Sequence, residues 1–506
     1  SHIDNWMMQE ELPMLYNQYK ITIPHVFVYN IELRGKDYIQ VKQRDSSIHA
    51  TEREGSGAGG VSKDFTVSAQ ETTFISRNLP AIRQDESYCW CPEDYKVQVS
   101  FDLQGTQFTP NEYKPYSQKW EDVDKQLLKP ENIQFGEHLS LTNPFRPETK
   151  QAYNSEMNFE EKIICAFQVL KKKMAWNGRY QLYSKELEKV IKKGSGSNAD
   201  LNFILISILK DFGLEAYPVV MSRRSSGMLP YNFPSLQKLN TFFVAIHDIN
   251  KQKYVFLDSS MDVPAFNILP LELSVNKARM LSLKEKEEKK WVNVMALSHN
   301  KSFMKIDARI EGNQVKGHRS TILYGQEAIE YQANENHKQD NLVSNPENKV
   351  SQKEKLTVTN LKVKKQENDW ALIEEEFDFV LQADRTDDHL YINPMLFPQL
   401  KSNPFIQTER VLPIEFPYPY KFTMLSTLTL PEGYEVEELP QSQSIRSEGD
   451  GLQCKYMIQQ QGNTILLNYV FHLKGYIFLS EQYKQLQELW AKVIEKNNAL
   501  IVLKKI

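Results

Sequence analysis

The stretch Gly194-Ser195-Gly196-Ser197-Asn198-Ala199-Asp200, followed directly by LNFILISILKDFGLEAYPVV, decides the fold of this chain. Its polar start predicts a turn, and the apolar run predicts a buried helix that Gly213 ends. A strand is predicted next, from the β-branched residues that follow Gly213. The first N–H groups of a helix have no partners inside the helix and carry partial positive charge. A thiolate at such a place is stabilised and its pKa falls, so the helix start is suited to a nucleophile.

Asn198 occupies this place, and its chemistry limits what the site can do. An amide has no nucleophilic anion near neutral pH. Asparagine is, however, among the best N-cap residues and stabilises a helix by ~1 kcal/mol relative to alanine. The residue type therefore fits either a polar anchor in a cleft or a plain helix cap.

Two predicted strands follow the helix and carry the other candidate residues. Leu239 to Ile246 is predicted as a strand from its β-branched and aromatic content, and Thr241 lies near its start. Asp258 ends the next strand, which begins at Tyr254. His247 lies six residues beyond Thr241, so at ~3.3 Å per residue it is roughly 20 Å away and is a poor partner for position 198.

This turn–helix–strand unit resembles the nucleophile helix of the transglutaminase-like fold, in which a Gly-x-Cys-x-Asp pattern places the catalytic cysteine at the helix start. The pattern here is Gly196-Ser197-Asn198-Ala199-Asp200, without the cysteine. The resemblance implies a histidine where Thr241 stands and an aspartate where Asp258 stands. It therefore implies a vestigial triad of Asn198, Thr241 and Asp258, with the catalytic cysteine and histidine lost.

The resemblance extends over nearly the whole chain. Asn158 and Glu161 form a capping-box pattern at the start of a helix with one apolar stripe. The segment around Trp176-Asn177-Gly178 resembles a bacterial group of transglutaminase-like proteins whose core is flanked by two β-rich domains of unassigned function. Three C-terminal phrases resemble the same group: Arg410–Pro417, Leu430–Pro440 and the ending from Glu481.

The predicted fold class is α+β with three domains. The hydrophobic period changes from two to near 3.6 and back. We expect a β-rich domain over 1–145, which is incomplete at its start, a papain-like α/β core over 146–285 and a C-terminal β-sandwich with one helix over 286–506. Within these domains we predict a hairpin connection at Gly55–Gly60, a polar loop from Glu335 to Glu354 and a late helix from Ser480 to Lys496.

The composition and charge of the chain argue against a nucleic-acid-binding protein and against a membrane-spanning helix. The net charge is −4, and no basic stripe interleaved with aromatic residues indicates a nucleic-acid partner. No apolar run is long enough to span a bilayer. The opening residues resemble a point well inside the N-terminal flank of relatives, so we expect that an earlier segment, with any signal or lipid anchor, is missing. The resemblance implies the bacterial periplasm or the outer-membrane surface.

Neither a cofactor nor a metal is predicted. We expect Cys89 and Cys91 to share one face of a strand, and Cys165 to lie in the helix that starts at Asn158. With Cys454 they are interpreted as small hydrophobic residues. Asp384–His389 lacks the ligand spacing of a calcium loop and is predicted to be a charged turn. Pro417–Tyr420 and Tyr113–Tyr116 suit either partner and sugar contacts or tyrosine packing on proline.

Three functional hypotheses remain open. The first is a catalytically inactive transglutaminase-like binding or scaffold module, with a protein, an extended peptide or a glycan held in the core cleft by Asn198, Thr241 and Asp258. The second is an acyl-transfer enzyme or peptide hydrolase that uses another nucleophile, such as Ser197. The third is a structural spacer between β domains. An open groove beside Asn198 favours binding, and a groove filled by side chains favours the spacer.

Overall fold

A computed structural model describes residues 3–54, 61–84, 86–109, 112–115, 119–230, 234–340, 356–366 and 369–506. The chain divides into two compact units. One contains residues 1–127 and 224–239, and the other contains residues 128–223 and 240–506. The predicted domain boundaries near 145 and 285 stay predictions, while the mixed α+β fold class is confirmed.

The described residues form helices at α1 Trp120–Leu128, α2 Arg146–Ala152, α3 Phe159–Lys173, α4 Leu187–Lys193, α5 Asn198–Asp211, α6 Gln326–Asp340 and α7 Tyr483–Asn497. Helix α3 begins at the predicted capping box. The Glu161 N–H donates to Asn158 Oδ1 at 3.0 Å, and the Asn158 N–H donates to Glu161 Oε2 at 2.8 Å. Both bonds satisfy N–H groups that a helix start leaves without partners.

The first unit holds two antiparallel sheets with an apolar core. Its strands are β1 Trp6–Met7, β2 Met14–Pro24, β3 Phe27–Arg34, β4 Gln40–Glu54, β5 Val61–Leu79, β6 Gln98–Thr109 and β7 Glu112–Pro115. One sheet has the order β1-β6-β3 with β7 on β6, and the other has the order β2-β5-β4. Phe74 and Phe101 pack in the core with Met8 and Val99.

The core region of the second unit places helix α5 on a five-stranded sheet. Strands here are β8 Ala175–Trp176, β9 Ser195–Gly196, β10 Ala216–Met221, β11 Thr241–Asp248, β12 Lys253–Leu257, β13 Ala278–Met280 and β14 Trp291–Val292. The sheet order is β12-β11-β10-β13-β14, and β8 pairs with β9 separately. Helix α5 is buried over almost its whole length, as its continuous apolar sequence predicts.

A large mixed sheet dominates the C-terminal region. Its strands run in the order β17-β18-β16-β15-β22-β26-β25-β24, and only β15 and β22 are parallel neighbours. A smaller sheet has the order β19-β20-β28-β23, and β21 pairs with β27. The strand bounds are β15 Lys301–Glu311, β16 Gln314–Tyr324, β17 Leu356–Gln366, β18 Asp369–Gln382, β19 Asp384–Arg385, β20 His389–Ile392, β21 Ile414–Glu415, β22 Tyr420–Thr429, β23 Tyr434–Glu438, β24 Gln443–Arg446, β25 Leu452–Gln461, β26 Thr464–Leu473, β27 Ile477–Phe478 and β28 Ile501–Lys505.

Two local predictions are wrong. Cys89 and Cys91 lie in a loop rather than on a strand, because Tyr88 has a positive φ of 60° and Pro92 starts a 3-10 turn. The predicted polar loop from residue 335 overlaps helix α6, which continues to Asp340, so the described part of the C-terminal region contains two α-helices where one was predicted. The rest of that predicted loop, and the predicted connection at residues 55–60, lie outside the described residues.

Other local predictions agree with the structure. The helix predicted from Ser480 to Lys496 is present as helix α7, Tyr483–Asn497, which follows a 3-10 turn at Ser480–Gln482. The segment Asp384–His389 is a turn between β19 and β20. Tyr418 and Tyr420 are held by hydrogen bonds, since their hydroxyls donate to Glu330 at 3.5 Å and to Gln399 at 2.9 Å, while their packing on proline stays a prediction.

No helix among the described residues has both the length and the apolar character that a membrane crossing requires.

Candidate functional site

The start of helix α5 is capped by Ser197, and Asn198 is its first helical residue. The Asp200 N–H donates to Ser197 Oγ at 3.3 Å, and the Ser197 N–H donates to Asp200 Oδ2 at 2.8 Å. The interpretation of Asn198 as the helix cap is therefore wrong, because the hydroxyl one residue earlier takes that role. Gly213, with a φ of +75°, ends the helix as predicted.

A parallel pair of short strands brings the Trp176 segment to the helix start. Trp176 pairs with Gly196, and the Asn198 N–H donates to the Arg179 carbonyl at 3.1 Å. Gly196 is required here because an added Cβ would lie 2.5 Å from Val190 Cγ1 and 2.9 Å from Asp200 Cβ. The polar turn is therefore packed tightly against its neighbours.

The side chain of Asn198 makes hydrogen bonds in three directions. Its Nδ2 donates to Thr241 Oγ1 at 2.7 Å and to the Phe242 carbonyl at 3.0 Å. Its Oδ1 accepts from the Gln181 N–H at 2.8 Å. Asn198 and Thr241 both have no exposed surface, so the amide joins helix α5, strand β11 and the loop after β8 inside the protein.

Asp258 lies one residue beyond strand β12 and is linked to this amide through Asn202. Asn202 Nδ2 donates to Asp258 Oδ2 at 2.9 Å and to the Phe242 carbonyl at 2.8 Å. Asn202 Oδ1 accepts from the Ser259 N–H at 2.9 Å. The structure therefore brings together all three positions of the predicted triad, with Asn202 as the connection.

Burial and hydrogen bonds from neighbouring residues determine the pKa of the Asp258 carboxyl group. Burial raises its pKa, and hydrogen bonds from Ser260 and Asn202 partly offset that effect. The Ser260 N–H donates to Asp258 Oδ1 at 2.9 Å, and the Ser260 hydroxyl donates to the same oxygen. These groups occupy the lone pairs of Asp258 that would orient an imidazole in a catalytic triad.

Lys171 interacts electrostatically with the Asp258 carboxyl group. Burial lowers the pKa of Lys171, whereas Asp262 and Asp258 raise it. Its Nζ donates to the Ser259 carbonyl at 3.1 Å and lies 3.8 Å from Asp262 Oδ1. Tyr180 lies on the same side, with its hydroxyl 3.2 Å from Ser260 Oγ, and burial raises its pKa.

His247 is held at the far end of strand β11. Its Nδ1 lies 3.7 Å from Glu215 Oε2, and its ring stacks on Tyr254 with the ring centroids 4.8 Å apart. The register pairs His247 with Tyr254 and Met221 with Thr241, at opposite ends of the strand. No rearrangement of a side chain alone brings this imidazole to Asn198.

The arrangement stabilises the fold and offers little reactive chemistry. Ser197 Oγ donates to Asp200 Oδ2 at 2.7 Å, and only 1% of the residue is exposed. A serine nucleophile needs a base and access to its substrate, and this hydroxyl is committed to the helix cap. The burial of Asn198, Thr241 and Asp258 also keeps these side chains from serving as anchors for an extended ligand.

Asn202 is the residue that sequence reasoning missed. It lies four residues after Asn198, so both amides face the same side of helix α5. Both donate to one acceptor, the Phe242 carbonyl. Two asparagines at this spacing in an otherwise apolar, buried helix were the signal, because buried polar groups require partners.

Comparisons with known proteins agree with this geometry at the level of the fold. The structure is similar to that of a protein from Parabacteroides distasonis named a "putative protease". The similarity covers 99% of this chain and 74% of the other, with a TM-score of 0.52 and 12% identity. A "putative cysteine protease" from Cytophaga hutchinsonii covers 49% of this chain and 80% of its own, with 10% identity and a TM-score of 0.17, too low to carry an argument.

The C-terminal region matches a family that has no assigned activity. Residues 388–503 match the family described as "Domain of Unknown Function with solved-structure structure (DUF3858)". No curated protein matches the chain. The comparison with the Parabacteroides distasonis protein shows a likeness of fold alone, so the activity of this chain has to be inferred from its own residues.

Proposed function

We propose that this protein is a catalytically inactive transglutaminase-like protein that acts as a binding or scaffold module. Its core domain keeps the fold of the enzyme class, and the position of the nucleophile serves to hold the fold together. We further propose a place in the bacterial periplasm or at the outer-membrane surface, within a larger envelope assembly. Since side chains fill the site around Asn198, which favours a spacer over a ligand in the core cleft, the scaffold would hold a protein partner through surfaces outside the core.

The observation that carries this proposal is the fully buried, fully bonded side chain of Asn198. The amide has no exposed surface and engages Thr241, Phe242 and Gln181. An acyl-transfer enzyme needs a nucleophile that meets its substrate and a base that takes its proton. Asparagine is neither a nucleophile nor a base, and the Thr241 hydroxyl is fully buried and bonded to the Asn198 amide.

The alternative is a peptide hydrolase with a nucleophile other than cysteine. The name of the Parabacteroides distasonis protein favours hydrolysis for that protein, at 12% identity to this chain. For this chain, Ser197 is the candidate nucleophile, and Asp200 is its hydrogen-bond partner. Such an enzyme would have to expose Ser197, which the capping box holds in place.

The first experiment measures activity of the intact protein. We expect no crosslinking of amines to glutamine peptides, no peptide hydrolysis and no labelling of Ser197 by a serine-reactive fluorophosphonate. Turnover well above a buffer control that Ser197→Ala abolishes would overturn the proposal and establish the hydrolase. Since Ser197→Ala also removes a helix cap, circular dichroism checks that the variant is folded, and labelling of Ser197 in the wild type separates this residue from a contaminating enzyme.

A second experiment restores the missing groups. Asn198→Cys combined with Thr241→His should give a thiol that a cysteine-reactive probe modifies, because a thiolate at a helix start is stabilised by the helix and by an imidazole. Each single variant is the matched control and should react more slowly. The modified peptide is identified by mass spectrometry, which separates position 198 from the four native cysteines. Since histidine overfills the buried space of Thr241, circular dichroism checks folding, and equal reactivity of a folded double variant and its controls would contradict the assignment of the site.

A further inference from the structure

The first turn of helix α6 connects the large C-terminal sheet with the core region. Gly325, with a φ of +77°, ends strand β16 and leads directly into the helix. The backbone N–H of Gln326 donates to Asn300 Oδ1 at 2.9 Å, next to the start of β15. The side chain of Gln326 donates through Nε2 to the Leu269 carbonyl at 2.7 Å, and Leu269 packs in the apolar cluster of the core region. Any movement of this turn therefore affects both regions.

Two carboxyl groups lie on this turn, at Glu327 and Glu330. Residues three apart on a helix are neighbours on one face, with about 5–6 Å between their Cβ atoms. Glu327 Oε2 is enclosed by the protein and has no hydrogen-bond partner among the described residues. Within the described part of the chain, neither carboxyl forms an ion pair with a cation. A carboxylate enclosed in this way is costly unless it gains a donor or binds a proton.

The hydroxyl groups beside Glu327 have no proton left to give to it. The carboxyl lies next to the hydroxyls of Tyr420 on β22 and Ser302 on β15. The Tyr420 hydroxyl donates to Gln399 Oε1 at 2.9 Å and lies 2.7 Å from Ser302 Oγ. Each hydroxyl carries one proton, so that of Tyr420 goes to Gln399 and that of Ser302 goes to the Tyr420 oxygen. A protonated Glu327 supplies the missing proton itself and can donate it to Ser302 Oγ.

The other titratable groups that face Glu327 are also acids. Glu330 lies on the same helix, and the Tyr418 hydroxyl, just before β22, donates to Glu330 Oε1 at 3.5 Å. Burial raises the pKa of both Tyr418 and Tyr420, so these hydroxyls stay neutral. The only charges that this cluster can gain as the pH rises toward neutrality are therefore the two negative charges of the glutamates.

Cations on the strands near α6 have other partners. Arg319 on β16 pairs with Glu375 on β18 at 2.9 Å, and the Tyr331 hydroxyl of α6 donates to the same carboxylate at 2.8 Å. Lys301 on β15 lies over the ring of Tyr324, with Nζ 4.7 Å from the ring centroid. These contacts compensate Glu375 and leave Glu327 and Glu330 to each other.

We propose that the first turn of α6 is a proton-dependent switch. With Glu327 protonated, the turn stays closed on Ser302 and Tyr420. When Glu327 loses its proton, an enclosed carboxylate without a donor lies one turn from Glu330, and the turn opens toward water. The helix start favours a carboxylate, but only weakly, and this does not offset the loss of hydration. Because Gln326 is on the same turn, opening also weakens the link to Leu269 in the core region.

The direction of the pH response follows from the surroundings of the two carboxyl groups. Burial raises the pKa of Glu327 and of Glu330, and the charge of Glu330 raises that of Glu327 further, while Tyr420 and Ser302 lower it. The folded state therefore binds the proton more tightly than the unfolded state, in which the ordinary value is 4.5. The contribution to stability is full below pH 4.5 and is lost as the pH rises through the folded-state pKa.

Hydrogen exchange of the full chain, followed by mass spectrometry, tests the switch. The N–H groups of Ala328 and Ile329 donate to the Gly325 carbonyl at 3.1 and 3.3 Å, so peptides that contain them report opening of the turn. After correction for the intrinsic effect of pH on exchange, their protection should fall about tenfold or more between about pH 5 and about pH 8. Peptides from α7 serve as the internal reference and should keep their protection.

Three variants assign the response to Glu327. Glu327→Gln carries a donor at every pH, so its α6 should be as protected at high pH as that of the wild type is at low pH. Glu330→Gln removes the neighbouring charge and should move the midpoint of the loss to lower pH. Glu432→Gln, at an exposed position between β22 and β23, is the matched control and should respond as the wild type does.

Two results would overturn the proposal. One is a wild-type α6 whose protection does not change with pH, and the other is a Glu327→Gln variant that responds as the wild type does. Circular dichroism checks that each variant is folded. If Glu327→Gln does not fold, Glu330→Gln decides the question, because an unmoved midpoint in that variant would also overturn the proposal.

Discussion

The closed site of the core domain and the outer face of the large sheet have opposite properties. The core site has polar side chains without access to solvent, since Asn198, Thr241 and Asn202 are completely buried. The outer face has access without reactive groups, since its exposed residues include Leu425 and Met457. Under the proposed function, the core residues contribute to stability, and interactions with other molecules use surfaces outside the core.

The largest effect on stability is expected when the side-chain amide of Asn202, which connects the residues of the core site, is removed. We expect Asn202→Ala to lower the free energy of unfolding by roughly 3 kcal/mol, because it leaves the Asp258 carboxylate and the Phe242 carbonyl short of a buried donor. Urea denaturation measures the change. Asn250→Ala, at an exposed position, is the control and should change stability by less than about 0.5 kcal/mol. Equal effects of the two substitutions would mean that the buried network contributes little.

The capping boxes at the starts of α5 and α3 allow the stability contribution of a buried cap to be compared with that of an exposed cap. Ser197 is 1% exposed, whereas Asn158 is exposed. We expect Ser197→Ala to cost about 2 kcal/mol and Asn158→Ala to cost about 1 kcal/mol, since both lose the bond to an N3 amide but only the first also removes a hydroxyl donor from a buried carboxylate, which keeps the backbone N–H of residue 197. Thermal and urea unfolding should agree on this order. The reverse order would show that Ser197 is not held as the structure describes.

The Asp258 carboxyl should give a dependence of stability on pH. Burial raises its pKa in the folded protein above the ordinary value of 3.8, so the folded state binds this proton more tightly than the unfolded state does. Its contribution to stability is therefore full below pH 3.8 and is lost as the pH rises through the folded-state pKa. We expect the stability of the wild type relative to Asp258→Asn to fall across that window and to become constant above it. A difference that rises with pH would mean that the donors around Asp258 outweigh its burial.

The smallest effect is expected on the outer face. Leu425→Thr should change the free energy of unfolding by less than about 0.5 kcal/mol when measured at low protein concentration, because the side chain already lies in solvent. The neighbouring Met424→Thr, on the buried face of the same strand, is the matched control and should cost about 2 kcal/mol or more. A large loss with Leu425→Thr would show that this face is covered within the chain.

Much of the core could be predicted from local sequence. The end of α5 follows from Gly213 as predicted, because positive φ is a property of one residue, whereas its cap is Ser197 and not the predicted Asn198. The start of α3 follows from Asn158 and Glu161 for the same reason. These features depend on interactions within one turn of helix, so the pattern alone predicts them.

Other features depended on residues far apart in the chain. The role of Asn202 rests on bonds to Phe242 and Asp258, which lie 40 and 56 residues away. Helix α6 continues into a polar segment for which the sequence predicts a loop. Gln332 Nε2 donates a hydrogen bond to the Trp370 carbonyl at 2.7 Å, which helps to stabilise the helix. Cys89 and Cys91 lie in a loop instead of the predicted strand, because Tyr88 has a positive φ and Pro92 begins a 3-10 turn. Periodicity contains no information about such partners.

The sequence by itself determined that position 198 has no nucleophile, because an amide in place of a thiol is a chemical fact that folding does not alter. It also determined where the helices and strands of the core begin, because capping and hydrophobic period act over short distances. Only the tertiary structure decided that Asn198 is sealed within the protein and that Leu425 and Met457 are left outside it. Burial is a property of everything that packs around a side chain, and that set of neighbours is assembled from distant parts of the chain.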